Sequence, residues 1–300
     1  MKDKGQFDVP ILLIIYNRFK TTQKVFSSIK DVKPSRLYLV SDGPKNISDK
    51  TKIDELRNYI INNISWDCEF KSMFRDSNLG CRASVSSGID WFFNNEDMGI
   101  ILEDDCLPSK SFFYFCEELL HRYKNDKRIY SISGFNQQNE WNSEDHDYFF
   151  SKLGNCWGWA SWRRCWKDYD VEIKDFEDFE QLKGFENSLG KKLGKIKKDM
   201  IYEGVIRNAA DSWALQWGYL RHKNSGLTCI PSKSLIKNIG FGDDATHTFH
   251  ALPSEVENNE VNIPTKINNY VVPDQEYDNL MFKKDTIITR FKNKFINLLS

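Results

Sequence analysis

Met98-Gly-Ile-Ile-Leu-Glu-Asp-Asp-Cys-Leu-Pro108 is the stretch on which the reading of this chain turns. Ile100, Ile101 and Leu102 form an unbroken apolar run. A run without alternation suits a strand covered on both faces, as in a parallel sheet. Glu103, Asp104 and Asp105 then arrive together, and Pro108 closes the segment. In open α/β sheets ligands bind just beyond the carboxyl ends of the strands. Three adjacent carboxylates there are costly to hold ionised without a cation among them.

Upstream of this stretch, strands and helices alternate. Val9 to Tyr16 (VPILLIIY) reads as a continuous apolar strand, followed by a helix from Thr21 to Ile29 with Val25, Phe26 and Ile29 on one face. Arg36 to Ser41 is a second strand, ending at the turn signal Asp42-Gly43-Pro44. Asp54 to Ile64 is amphipathic, Glu69 to Arg75 is a short strand, and Ala83 to Phe93 a helix. This order predicts an α/β fold with a mostly parallel sheet and helices on both faces.

Downstream, Phe112, Phe115, Cys116, Leu119, Leu120 and Tyr123 make a helical stripe, and Arg128 to Ser133 a strand. Asn136 to Asp147 is polar and loop-like, and Phe149 to Trp166 is densely aromatic. Asp170 to Asp199 is highly charged, and its lysines read as a solvated helix face. One helix is predicted over Lys198 to His222, a strand over Leu227 to Ile230, and a glycine-punctuated loop over Ile239 to His247. From Leu252 the composition shifts toward Asn, Glu and Pro, which suggests an extended tail. Thr286 to Leu299 reads as a basic amphipathic helix, suited to packing on the domain or a second subunit, or to a membrane surface.

With 42 basic and 43 acidic residues the net charge is −1, so no global field points to nucleic acid or anionic membrane. Seven cysteines without a Cys-x-x-Cys pair suggest reduced, buried thiols. The apolar run from Pro10 to Tyr16 is too short for a signal sequence or a membrane span. The expectation is a cytoplasmic protein, at most peripheral at the inner face of the membrane.

Leu102-Glu-Asp-Asp-Cys-Leu-Pro-Ser-Lys-Ser-Phe-Phe-Tyr-Phe115 resembles the metal-binding segment of GT-A glycosyltransferases of the N-acetylglucosaminyltransferase I type. Tyr16-Asn-Arg-Phe-Lys-Thr-Thr22 resembles that family's first strand-to-helix turn, and Ser41-Asp42-Gly43 the end of its second strand. The resemblance covers roughly residues 8 to 250. It implies a Rossmann-like nucleotide-sugar half (1–135), an acceptor half (136–250) and a C-terminal extension (251–300).

The activity implied is metal-dependent inverting transfer from a nucleotide-sugar, UDP-linked by preference, to a glycan or lipid-linked glycan in surface polysaccharide or oligosaccharide synthesis. Mn²⁺ or Mg²⁺ would act as a Lewis acid on the leaving diphosphate and needs hard oxygen ligands. The resemblance gives Asp105 the metal, and Glu103 and Asp104 the ribose, the sugar hydroxyls or metal-bound water. Asp42 would accept from the uracil imide, and Arg18 would grip diphosphate or base, since a guanidinium binds phosphate bidentately. Arg82 would also face the nucleotide. Ala210-Asp211-Ser-Trp213 resembles an acidic pair before a Trp, with Ala210 in place of the first acid, which leaves Asp211 as the general base. Trp157, Gly158 and Trp159 resemble a Gly-Trp segment lining the donor site, and His247 suits a lid loop that reaches the metal.

Each residue also has a plainer role to set against this. Asp42 suits an Asp-Gly turn, Arg18 a surface ion pair, Asp211 a helix cap, and the tryptophans a core. Two other activities compete. A sugar-1-phosphate nucleotidyltransferase would want a glycine-rich loop after strand one, where this chain has Tyr16-Asn-Arg-Phe-Lys-Thr. A non-catalytic carbohydrate-binding protein would have no need of the acid triplet beside Asp42 and Arg18.

Overall fold

The computed structural model describes residues 6–142, 146–241, 256–263 and 265–281. His247 and the Thr286–Leu299 segment lie outside the described residues. The chain begins β1 (Ile11–Ile15), α1 (Phe19–Val32), β2 (Arg36–Ser41), α2 (Ile47–Asn63), β3 (Glu69–Phe74), α3 (Gly80–Asn95), β4 (Met98–Glu103), β5 (Cys106–Pro108), α4 (Lys110–Arg122), β6 (Ile129–Ser133). It continues β7 (Tyr148–Ser151), β8 (Trp159–Trp162), α5 (Arg163–Trp166), α6 (Phe176–Gln181), α7 (Gly184–Leu189), α8 (Lys191–Ile201), α9 (Ala214–Lys223), β9 (Leu227–Pro231), β10 (Ile236–Asn238).

Eight strands form one mixed sheet in the order β3-β2-β1-β4-β8-β6-β9-β7, so the fold is α/β and Rossmann-like. The first four strands pair in parallel; β8 runs antiparallel between β4 and β6. The sheet therefore runs unbroken across residue 135, the expected boundary between the two halves.

Strand alternation assigns the helices to faces. Ile101 pairs with Trp159 and Ile100 with Ala160, so Trp159 and Trp162 leave opposite faces. Trp159 meets Trp166, Trp213 and Trp217, which puts α5 and α9 on one side. The α3 residue Asp90 accepts from Trp166 Nε1 at 2.6 Å and joins them. Trp162 Nε1 donates to the α4 carbonyl of Leu120 at 3.1 Å, so α4 covers the other side, with α1 beside it. The aromatic stretch is thus mostly core, because β8 is covered on both faces.

α3 and α4 take their caps from residues far away in sequence. Neither Leu79 before α3 nor Ser109 before α4 makes a side-chain cap bond. Asp211 serves α3 instead, its carboxylate accepting from the amides of Cys81 and Arg82, both at 2.8 Å. Glu260 serves α4, accepting from Lys110 N–H at 2.9 Å and Ser111 N–H at 2.8 Å. Further along the tail, Trp141 Nε1 donates to Asp274 at 2.8 Å, and Tyr277 and Asp278 are buried.

The single helix expected over Lys198 to His222 is instead broken. α8 ends at Ile201, widens into a π-turn over Tyr202–Ile206, and α9 restarts only at Ala214. Asn208 takes a left-handed backbone (φ 55°), and the amides of Ala209 and Ala210 turn back to the carbonyls of Glu203 and Gly204. The break carries Asp211 out to α3. β5 and β10, which the sequence reading did not include, form a two-stranded antiparallel ribbon just past the acid triplet.

Candidate functional site

β1 and β4 are neighbours, so their carboxyl ends lie side by side. Arg18, in the turn after β1, meets the acids in the turn after β4. Its guanidinium bonds Asp104 and lies 3.0 Å from Asp105 Oδ2. Asp104 also accepts from the Tyr16 amide at 3.3 Å. Burial lifts the Asp104 carboxyl and Arg18 pulls it back. Burial lowers the Arg18 guanidinium, but Asp104 and Asp105 outweigh that and leave it above its ordinary value.

Glu103 is half-buried at the end of β4, and among the described residues nothing is hydrogen-bonded or ion-paired to its carboxylate. Burial, and then the charges of Asp105 and Asp104, push its carboxyl up to about 8. One arginine against three acids leaves the strand end short of positive charge.

The β5–β10 ribbon closes over this point. Ile239 N–H donates to the Asp105 carbonyl at 2.8 Å. A Cβ on Gly240 would come within 2.8 Å of Arg18 Nη1 and of Asp105 Cβ, so only glycine lets the strap lie so close. Phe241 then packs edge-on to Trp157 at 6.0 Å.

Asp42 is buried, and its carboxylate is already engaged. It accepts from Gly43 N–H (2.8 Å), Leu79 N–H (3.0 Å) and Asn78 Nδ2 (2.9 Å). These bonds lock the β2 end against the turn that opens α3. Asp211, at the far side of that turn, holds the α3 amides. Arg82 is turned toward the 204–211 loop, with Nη2 donating to the carbonyls of Ala210 and Gly204. The three residues are therefore engaged first by the turn that opens α3 and by the loop that reaches it.

Trp157, Gly158 and Trp159 divide. The half-buried indole of Trp157 packs edge-on to Phe135 at 4.7 Å and lines a cavity of about 170 Å³. Gly158 takes φ +58°, and a Cβ there would sit 2.7 Å from Ile236 Cγ1. Trp159 is 1% exposed and lies near-parallel to Trp213 with ring centres 5.7 Å apart. It belongs to the core, with no face left for a sugar.

The Cys81 amide is one of the two that Asp211 accepts, and its thiol is pushed up to about 12 by burial and then by the charges of Glu103, Asp211, Asp42 and Asp105. Sequence reading missed it, because a lone cysteine at a helix start carries no pattern. It also missed Asp49, in the first turn of α2, which accepts from Tyr16 Oη at 2.9 Å and Asn17 Nδ2 at 3.0 Å.

No family model matches the chain, and no curated protein matches it. Solved structures do resemble it, among them the following three. A mannosyltransferase from Pyrobaculum calidifontis, in complex with GDP-Man and Mn²⁺, is 10% identical over 75% of this chain and 57% of its own, with a TM-score of 0.35. The 4-diphosphocytidyl-2C-methyl-D-erythritol synthase from Anaerococcus prevotii is 11% identical over 58% and 84%, with a TM-score of 0.34. A UDP-glucose pyrophosphorylase complexed with UDP-glucose is 9% identical over 76% and 92%, with a TM-score of 0.34. The chain matches little more than half of the mannosyltransferase, and likeness this slight carries nothing about chemistry. Among the described residues no helix is long and apolar enough to cross a membrane.

Proposed function

We propose that the chain is a metal-dependent inverting glycosyltransferase that moves a sugar from a nucleotide-sugar, a UDP-sugar by preference, to a glycan hydroxyl. The observation that carries the reading is the acid triplet at the end of β4, bridged by Arg18 from the end of β1 and strapped by Gly240. This is the strand-end position at which α/β folds bind ligands.

The residues fit a divalent cation. Three hard-oxygen side chains follow one another at the strand end, and a single arginine faces them. Among the described residues no His, Cys, Asp and Glu form a group of three placed to hold an ion by themselves. Asp105, backed by Glu103, would hold Mn²⁺ or Mg²⁺, which takes further ligands from phosphate and water. When bound, the ion supplies Lewis-acid neutralisation of the diphosphate.

The chain's own residues do the rest. Arg18 turns from Asp105 to a phosphate oxygen and keeps its bond to Asp104. Asp42 fixes the Gly43 and Leu79 backbone as the seat for the base, and Trp157 offers an indole to the sugar. Asp211 takes the acceptor's proton. It already accepts two amides, so its capping and proton-accepting roles must be separated by experiment.

The test is thermal unfolding with UDP and Mn²⁺, then turnover with UDP-, GDP- and dTDP-sugars. UDP with Mn²⁺ should raise the midpoint, and Asp105→Ala should abolish the rise; no rise in the wild type would sink the reading. Asp211→Asn should keep UDP binding and lose transfer by several orders of magnitude. Retained turnover would leave Asp211 as a cap only.

A further inference from the structure

Arg221 sits in a poor environment for a cation. It stands on α9, is 5% exposed, and donates from Nη1 to Thr228 Oγ1 at 2.7 Å. Thr228 is neutral and is itself hydrogen-bonded to the Ser131 hydroxyl at 3.0 Å. Nε is buried without a partner. Asp278 acts on the guanidinium only through space, its carboxylate being engaged by Ser151 Oγ and the Lys152 amide. A guanidinium carries five N–H donors, and among the described residues this one spends a single bond, on a hydroxyl.

Two cavities, of about 270 and 170 Å³, share Arg221, Gly154, Asn155 and Ala214 in their walls. Lys197 and His222 also line the larger, and no Asp or Glu does among the described residues. Gly154 leaves room for the Arg221–Thr228 pair, since a Cβ there would lie 2.9 Å from Nη1 and 2.5 Å from Thr228 Oγ1. Burial, and then the charges of Arg221, Lys197 and Lys152, hold the His222 imidazole well below its ordinary value, which marks a locally positive wall; burial brings Arg221 down to about 10.

The smaller cavity borders residues that neighbour the strap over the acid triplet. It is lined by Trp157, whose ring meets Phe241 next to Gly240, and by Cys156, whose thiol is raised by burial and then by the Glu103 charge. An anion in the larger cavity would therefore lie one pocket away from the proposed donor.

We infer that the Arg221 cavity is the acceptor subsite, and that it takes a sugar bearing an oxyanion, a carboxylate or a phosphate. The word acceptor rests on the glycosyltransferase reading; the anion site does not. Arg221 is a binding and orienting group here, not a catalytic one.

The test titrates the full chain with glucuronate, glucose 6-phosphate and glucose, and separately with UDP and Mn²⁺. The wild type should bind at least one charged sugar about tenfold or more tighter than glucose, and the two charged arms tell carboxylate from phosphate. Arg221→Gln should remove the preference. Ala214→Leu, which enlarges a side chain in the wall that both cavities share and keeps the arginine, should remove it too and serves if Arg221→Gln does not fold. Equal binding of all three sugars by the wild type, or a preference that survives Ala214→Leu, overturns the inference. A UDP–Mn²⁺ response lost while the preference stands overturns the donor-site reading alone.

Discussion

Replacing Arg18 by Met keeps an apolar stem and removes the guanidinium. The bond to Asp104 and the 3.0 Å pair with Asp105 disappear together. What remains is an Asp104 side chain 5% exposed and an Asp105 side chain 14% exposed, beside Glu103. Removing one partner of a buried pair costs about 3–5 kcal/mol. Arg18 keeps 20% exposure and Tyr16 still donates to Asp104 at 3.3 Å, so the expected loss is smaller. We expect about 2–3 kcal/mol, or roughly 4–10 °C in the unfolding midpoint. The deficit should narrow in acid, where the stranded carboxyls take up protons. It should also narrow with Mn²⁺ or Mg²⁺, and the variant should gain more from the ion than the wild type does. Differential scanning calorimetry with and without the ion measures both. A variant that melts with the wild type, or a deficit that Mn²⁺ leaves untouched, would refute the claim that the triplet is short of positive charge.

Asp211→Ala removes the α3 cap and should cost about 1–2 kcal/mol in a denaturant titration; Asp211→Asn, which keeps one acceptor oxygen, should cost less. Gly158→Ala places a Cβ against Ile236 at a left-handed φ and should cost about 2–4 kcal/mol by the same measurement. His222 is held well below its ordinary value of 6.5 by burial and by Arg221, Lys197 and Lys152. Below that value the unfolded chain takes up a proton that the fold refuses, so stability should fall as pH drops from 6.5 toward the folded value. In unfolding midpoints read across that range, His222→Gln should flatten the fall.

The parallel half of the fold was legible because its signals are local. Arg36–Ser41 is a strand in sequence and structure alike, and the run into Glu103 is the central strand its composition predicts. The candidate site was legible as residue types at strand ends, since topology alone brings Arg18 to Asp104 and Asp105. What each side chain does there was not. Asp42 and Asp211 are engaged with backbone amides, and Trp159 sits in the core, because capping and burial depend on partners far away in sequence. The helix expected over Lys198 to His222 fails for a related reason. Its apolar spacing is helical throughout, but the chain departs at Asn208 to deliver Asp211 to α3. Arg221 was read only as part of that helix, since nothing local marks a buried arginine whose cavity is built by residues about seventy positions upstream.

The two borrowed caps bear on how the chain comes into being. Asp211 lies 130 residues from the amide it caps on α3, and Glu260 lies 150 from the one it caps on α4. At a synthesis rate of about 5–20 residues per second, α3 waits on the order of ten seconds for its carboxylate. During that interval the nascent N-terminal half exposes bare amides at the openings of both helices that flank the acid triplet. That half is a poor candidate for transplantation as a module. The surface on which a donor would lie is completed only when the distal third of the chain arrives.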